Sequence, residues 1–432
     1  MKMLASEAAA GIGGRVIGPD REFDGASFDT RSIQSGQLFV PIVAERNGHE
    51  FIDEAFTSGA AVTLASEAIA VGGDRTIIEV ADTSHALMSL AAFARQRSSA
   101  RVVGITGSVG KTTTKDLVAA ACGASLRTTA NERSFNNEQG LPITILNAPD
   151  DAEALVVEMG MRGFGEITRL CDVARPEIGV VTTVGYSHTE RVGGIEGVAK
   201  AKREIVEALS SSGTAVLNAD DDRVAAMARH TSASVLTFGT TGDVRISGLH
   251  LDALARPRFA LATPWGSADV ELAVSGAHMA MNAAAAVAVA GTLGVTLEAC
   301  VAALADAGVS EMRMEITQLS SGAVVINDAY NANPTSMAAA LDAVVAMEAT
   351  RRFAVLGEMG ELDDPGEGHR DVARQAEGLG VDLIAVGTDM YGVRPTEDPL
   401  SALGALGDGD VVLVKASRSA GLERVVAALT DS

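Results

Sequence analysis

Residues 106–113 read TGSVGKTT, a glycine-rich turn that ends in lysine and two threonines. Such a turn can wrap phosphate oxygens: its backbone N–H groups point inward, the lysine reaches the outer phosphates and the first threonine hydroxyl can ligate a divalent cation. The strict pattern G-x-x-x-x-G-K-[ST] is not met, because Ile105 stands where its first glycine should be. Gly107 and Gly110 still allow a tight curl, and the parts that touch phosphate (Gly107, Ser108, Gly110, Lys111, Thr112 and Thr113) are intact. Carboxylate and imidazole follow at similar points downstream. Glu158 ends the apolar run ALVVE, and His188 lies just past EIGVVTTVG. Taken singly, Glu158 reads equally as a salt-bridge partner and His188 as a surface histidine; their shared position relative to the turn makes both candidate metal-site residues.

The elements that must hold these residues are strands and helices in alternation. RVVGI is a strand and TTTKDLVAAAC a helix beginning at Lys111 or Thr112. ALVVEMG, EIGVVTTVG and TAVLNAD are further short Val/Ile-rich runs, each ending in a polar or glycine-containing loop. This is the pattern of a mostly parallel, doubly wound sheet, whose ligands sit at the carboxyl ends of the strands. We expect an α/β protein of three units. Residues 1–98 form a small α/β domain, with GQLFVPIVA and AVTLASEA as strands and SHALMSLAAFARQRS as a helix. Residues 99–311 form the P-loop domain. Residues 312–432 form a Rossmann-like domain, with strands at AVVIND, RFAVLGE, DLIAVGT and DVVLVKAS and no G-x-G-x-x-G fingerprint. Short joints predict units that hinge.

Composition narrows the partners. The 432 residues carry a net charge of -22, which opposes binding to nucleic acid or anionic lipid. A phosphorylated small molecule remains compatible, because a local set of N–H groups and lysines reverses the field. Three scattered cysteines, Cys122, Cys171 and Cys300, give neither a disulfide framework nor a zinc site and fit a reducing cytoplasm. The start, MKMLASEAAAGIGG, lacks an apolar signal-peptide core. The most membrane-like run, residues 278–297, is mostly alanine and contains His278 and Asn282; it reads as a tightly packed soluble helix.

With these residues in hand, the chain resembles the Mur ligase family, whose shortened loop T-G-x-x-G-K-T/S matches TGSVGKTT. Other stretches carry the resemblance across all three units in the family's order: SFDTRSIQSGQLFVPI (27–42), FNNEQGLP (135–142), GVAKAKREI (197–205), NDAYNANPTSM (327–337), GEMGELDDPGEGH (357–369) and VKASRSAGLERVV (414–426). They resemble most the members that join D-alanyl-D-alanine to UDP-N-acetylmuramoyl-tripeptide. The resemblance implies that ATP phosphorylates a substrate carboxylate, that an amine captures the acyl phosphate and that an amide results, in peptidoglycan precursor synthesis. It implies two Mg²⁺ ions, with Thr112 and Glu158 on the first, His188 on the second, and Lys202 as a carbamylated lysine.

Without the family, Lys202 reads as a helix-surface lysine paired with Glu204 or Glu207. The resemblance further places His278 and Asn282 at adenine, Arg313 towards phosphate, and Asp328 towards ribose or Arg313. It puts Ser27, Asp29, Thr30 and Arg31 at the UDP-substrate end, and Asn136 and Asn137 at the central entrance. Asn331 and Asn333 also match substrate positions, although helix capping explains them as well. His369, Lys415, Ser417 and Arg418 fall near the incoming amine, with Lys415 and Arg418 binding its carboxylate. A monomer is expected.

Three departures bear on the substrates: Thr183 replaces a usual asparagine, Tyr186 a small residue or proline, and Asp363 a common glycine. Aromatics make up only 3% of the chain, leaving few stacking platforms. Two other readings therefore stand beside the first: a paralogue of the same fold joining a different acid and amine, and a nucleotide-binding subunit without turnover.

Overall fold

The computed structural model describes residues 1–69, 72–132, 135–186, 189–360 and 362–431. A five-stranded sheet near the N-terminus has the order Arg15–Ile17, Thr76–Glu79, Val62–Ala65, Leu38–Phe39, Ala26–Ser27, parallel except for its first strand. The expected strand over GQLFVPIVA is only Leu38–Phe39. Pro41, which lacks an N–H for a ladder, follows two residues later. Helix Thr83–Arg97 is amphipathic as expected, and its N-cap Asp82 accepts the His85 N–H. The buried face of this helix, Leu87, Leu90, Ala91 and Ala94, belongs to one apolar cluster with Leu141, Ile145, Leu170 and Ala174. A continuous core of this kind joins the N-terminal sheet to the central unit.

The central sheet has nine strands in the order Gly266–Glu271, Pro257–Thr263, Val244–Leu251, Ser234–Gly239, Thr214–Asn218, Ile178–Val181, Arg101–Thr106, Ala154–Glu158, Thr128–Ala130. From Thr128–Ala130 through Val244–Leu251 it is parallel, and the last two strands are antiparallel. This antiparallel meander is absent from the sequence reading. Its connections, 252–256 and 264–265, are too short for the crossover that a parallel strand needs. Register places the site: Glu158 lies opposite Ile105 and Val181 opposite Thr106, so three strand ends meet at the glycine-rich turn.

The alanine-rich run becomes helix Met279–Thr292, buried on nearly every face and packed on helix Lys111–Gly123. Small side chains allow that close approach. Among the described residues no helix is long and apolar enough to cross a membrane. Cys122, Cys171 and Cys300 are buried and free, and desolvation pushes the Cys122 and Cys171 thiols up to about 12.

The C-terminal sheet has the order Glu315–Gln318, Val324–Asn327, Asp410–Lys415, Arg351–Leu356, Asp382–Ala385, parallel after an antiparallel first pair. All four strands expected there form. Helix Pro334–Ala346 follows its first parallel strand, started by proline at N1 and by Asn333, whose side chain accepts the Ser336 N–H.

Candidate active site

The turn between strand Arg101–Thr106 and helix Lys111–Gly123 is built around two glycines. A Cβ on Gly107 would lie 1.8 Å from the Thr182 hydroxyl oxygen, which itself donates to the Val109 carbonyl at 2.6 Å. Gly110, the helix N-cap, has φ 83°, a conformation that favours glycine. Ser108 is tied to the neighbouring strand end: its hydroxyl donates to the Gly185 carbonyl at 3.0 Å and accepts the Gly185 N–H at 2.8 Å. Lys111 folds back so that its ammonium donates to the Gly107 carbonyl at 2.8 Å. The lysine is thus held at the mouth of the loop, and the N–H groups of the helix start face the same cavity.

Thr112 and Glu158, far apart in sequence, meet here. The Thr112 hydroxyl donates to Glu158 Oε2 at 2.8 Å. Glu158 is almost fully buried; Asn136 Nδ2 donates to its other carboxylate oxygen at 2.7 Å, and the Asn131 side-chain oxygen accepts its backbone N–H at 2.8 Å. Asn131 was not singled out from sequence. Nothing local marks it, because its partner is 27 residues away on the next strand.

Lys202 lies on helix Ile195–Glu207 and is 2% exposed, lining the same cleft. The surface-pair reading fails: Glu204 accepts from the Gly165 and Thr168 backbone N–H groups, and Glu207 pairs with Arg203 at 2.7 Å. Desolvation drives the Lys202 ammonium well below its usual value, Lys111 pushes it the same way, and Glu158 opposes them. Burial and the neighbouring lysine thus both favour the uncharged amine, against the pull of the carboxylate. His188 lies outside the described residues.

The cleft, about 1160 Å³, runs from Asp82, Ser84 and His85 past the turn to Arg313, Tyr330, Ser417 and Arg418. Arg313 reaches across from the linker just before the C-terminal sheet. Its Nη2 donates to the Thr112 hydroxyl at 3.2 Å, and its guanidinium sits 4.3 Å over the Tyr330 ring. Asn136, Asn137, Asn331 and Asn333 also line this cleft. The Asn137 side chain caps the Gln139 and Gly140 N–H groups, and the Asn331 carbonyl accepts from Lys415.

A second cavity of about 210 Å³ opens behind the turn, between Gly110, Phe238, His278, Asn282 and Asp328. Asn282 Oδ1 accepts from the Thr114 hydroxyl at 3.2 Å, which orients the amide. Thr183 donates to Asp221 at 2.9 Å, so this departure from the family pattern has a structural partner of its own.

Several expected positions differ. Lys415 does not face the amine end of the main cleft. It is 1% exposed and pairs with Asp328 Oδ2 at 2.5 Å, lining the second cavity. Burial lowers the Lys415 ammonium and Asp328 holds it up, so the pair stands as a buried unit. Asp328 accordingly turns to Lys415 and to the Met314 N–H at 3.2 Å, not to Arg313.

His369 is fully buried away from the cleft. Its Nδ1 donates to the Pro365 carbonyl at 2.5 Å and its Nε2 accepts the Met359 N–H at 2.9 Å, tying the start of its own helix to Met359. Ser27, Asp29, Thr30 and Arg31 also lie outside the residues lining the cleft. Arg31 pairs with Asp29 at 2.6 Å and is largely exposed. Phe28 touches Phe135, 5.8 Å between ring centroids, so this loop leans on the segment that carries Asn136.

Burial holds the His369 imidazole neutral by lowering it from 6.5. Below 6.5 the unfolded chain takes up a proton that the folded chain refuses. Stability should therefore fall as pH drops from that value and level off below the lowered one. His369→Ala should abolish this slope and cost about 1–3 kcal/mol, read by denaturant unfolding between neutral and acid pH.

A lysine-headed phosphate loop, a carboxylate on the adjacent strand and an arginine brought over from the linker before a second sheet together define a nucleotide-driven transferase or ligase centre. Residues 105–290 match the Mur ligase middle domain and residues 312–429 the glutamate ligase domain of Mur ligases; the chain belongs to this family. It is 39% identical to the UDP-N-acetylmuramoyl-tripeptide–D-alanyl-D-alanine ligase of Mycobacterium bovis, over 93% of this chain and 91% of that protein. To the Escherichia coli ligase of the same name it is 34% identical, covering 98% and 97%. The crystal structure of MurF from Acinetobacter baumannii superposes with TM-score 0.89 at 28% identity, covering 100% and 99%. MurF from Thermotoga maritima in complex with ADP superposes with TM-score 0.83 at 28% identity, covering 94% and 97%.

Proposed function

We propose that this protein joins D-alanyl-D-alanine to UDP-N-acetylmuramoyl-tripeptide at the expense of ATP, in peptidoglycan precursor synthesis. One observation carries the reading most: Lys111, Thr112, Glu158, Lys202 and Arg313 line one cleft of about 1160 Å³.

A carboxylate is a poor electrophile at neutral pH because oxide would have to leave. Transfer of the γ-phosphoryl group breaks its bond to ADP and forms an acyl phosphate. The free amine of the dipeptide then attacks the carbonyl carbon, and phosphate departs with its electron pair to leave the amide. Lys111 and Arg313, both lining the cleft at the turn, would offset the charge that gathers when one anion attacks another. Asn282 and His278, at the second cavity, have the donors and acceptors to read adenine.

Oxygen donors at Thr112 and Glu158, with the Lys202 amine beside them, fit a magnesium site. Thr112 and Glu158 would hold one ion, and His188 with a carbamylated Lys202 a second. When bound, Mg²⁺ would neutralise the triphosphate and the entering carboxylate. The low-lying Lys202 amine supports carbamylation, because only the neutral form adds CO₂.

We place the carbohydrate-linked substrate against unit 1–98, the nucleotide in unit 99–311 and the dipeptide against unit 312–432, near Ser417 and Arg418. Ser27, Asp29, Thr30 and Arg31 would then act at the far, uridine end. We take the protein to act as a monomer, and ATP and a UDP-linked substrate support a cytoplasmic site of action. Purified protein given ATP, Mg²⁺, the UDP-linked tripeptide and D-alanyl-D-alanine should release ADP and phosphate in step with one amide product, seen by mass spectrometry. Turnover only with another acid or amine from a panel would transfer the reading to a paralogue, and none with any pair would sink it.

A further inference from the structure

We propose that Asp116 is a positioning residue that latches the linker between the central and C-terminal sheets and so places Arg313 at Thr112; this rests on the ligase reading above. Asp116 is on the helix that starts at Lys111, a turn and a half beyond the phosphate loop. One of its carboxylate oxygens accepts both the Ser310 N–H, at 2.7 Å, and the Ser310 hydroxyl, at 2.8 Å, across 194 residues of chain. Its other oxygen pairs with Lys115 at 2.7 Å, and that ammonium also donates to the Asn131 carbonyl at 2.8 Å. Side-chain exposures of 4% and 14% put the Lys115–Asp116 pair largely out of water, where charge-assisted bonds are strong. Asn131 in turn holds the backbone of Glu158. The linker is therefore wired to both the phosphate loop and its carboxylate.

The linker itself is wound against its preference. Among the described residues four non-glycine residues have positive φ, and two of them, Met312 at 57° and Met314 at 54°, flank Arg313. Each is held from outside: Glu315 accepts the Met312 N–H at 3.3 Å, and Asp328 the Met314 N–H at 3.2 Å. Bulky side chains adopt this conformation only when surroundings impose it. The effect of the double twist is to turn Arg313 out of the chain, over Tyr330 and onto the Thr112 hydroxyl. A linker at rest would relax out of this shape, so the bonds from Ser310 to Asp116 select the arrangement in which Arg313 is delivered.

Initial rates of phosphate release by the full chain test the latch. Arg313→Ala should lower kcat about a hundredfold. Asp116→Ala should lower it about tenfold with the KM for ATP changed by less than about twofold. Ser310→Ala, which leaves the Lys115–Asp116 pair in place, should lower it about threefold. Because the latch acts through Arg313, either change combined with Arg313→Ala should slow the enzyme no further. Multiplying effects, or full kcat in Ser310→Ala, would overturn the proposal.

A second readout needs no turnover. Dyes on Ser211→Cys and Glu377→Cys, both exposed positions on either side of the linker, report closure with an ATP analogue. The closed fraction should fall in Ser310→Ala, and an unchanged fraction rejects the latch. A closed fraction that responds in a parent protein without ligase turnover would instead remove the ligase reading and keep the latch.

Discussion

Replacing Lys111 with alanine should lower kcat/KM for ATP by at least about a thousandfold, or ~4 kcal/mol of transition-state stabilisation. The ammonium sits at the loop mouth, held at 2.8 Å by the Gly107 carbonyl, and no other lysine or arginine of the turn can replace it. Lys111→Arg should recover little, because a planar guanidinium does not place a point charge where the ammonium sits. The fold should survive both changes, since Lys111 is only partly buried and contributes no apolar packing. Steady-state ADP release together with thermal unfolding separates the two effects: rate lost with Tm retained is the expected pair. A Lys111→Ala protein that turned over at a tenth of the parent rate would remove the loop from catalysis.

Lys202→Ala should cause a comparable loss, but one that chemistry can repair. Under the carbamylation proposed above, short carboxylic acids or bicarbonate added to the alanine variant should restore a measurable part of the rate. No repair at any concentration would leave Lys202 a buried amine with another role. A stability measurement distinguishes its cost independently of turnover. The folded chain holds fewer protons on this amine than the unfolded chain does, from its depressed value up to the ordinary 10.5. Its contribution therefore becomes more favourable as pH rises through that window. In CO₂-depleted buffer at neutral pH, Lys202→Met should raise Tm, with the gain shrinking towards pH 10.5 as the parent amine becomes neutral in both states. A gain that grew with pH would contradict the buried-amine account.

The two experiments act on residues with different legibility. Lys111 announces itself through neighbours in sequence: a Val/Ile strand, two glycines and a helix start. Lys202 has no such local signature. In sequence it is one lysine in AKAKRE with glutamates at the spacing of a surface pair, and only the family resemblance assigned it a site. Its burial against Glu158 follows from a helix packing on a sheet, which spacing along the helix does not encode. Glu158 and the end of strand Ile178–Val181 lie between these cases. Their positions at strand ends were readable, and parallel register then brought them beside the turn.

Misplaced residues have the same origin. His369 lies in the first turns of helix Pro365–Gly378 and Lys415 at a strand end. His369 became an internal tie between Pro365 and Met359, and Lys415 paired with Asp328, which itself still lines the second cavity. Buried polar groups must find partners, and which partner is nearest depends on neighbouring strands that sequence does not order. The antiparallel meander at 244–271 is not legible in the sequence for a related reason. Its strands alternate weakly, and their ladder is decided by short turns and by the helix packed beneath them.

By itself, then, the amino-acid order determined the alternation of strand and helix, the phosphate loop and the family, because each is written in contiguous residues whose backbone geometry and chemistry are local. Tertiary structure alone decided that Thr112 meets Glu158 and Arg313, that Asp116 holds Ser310, and that Lys202 is buried. Those contacts join residues tens to hundreds of positions apart, and their energies arise from desolvation and charge in a cleft that exists only once three sheets have packed.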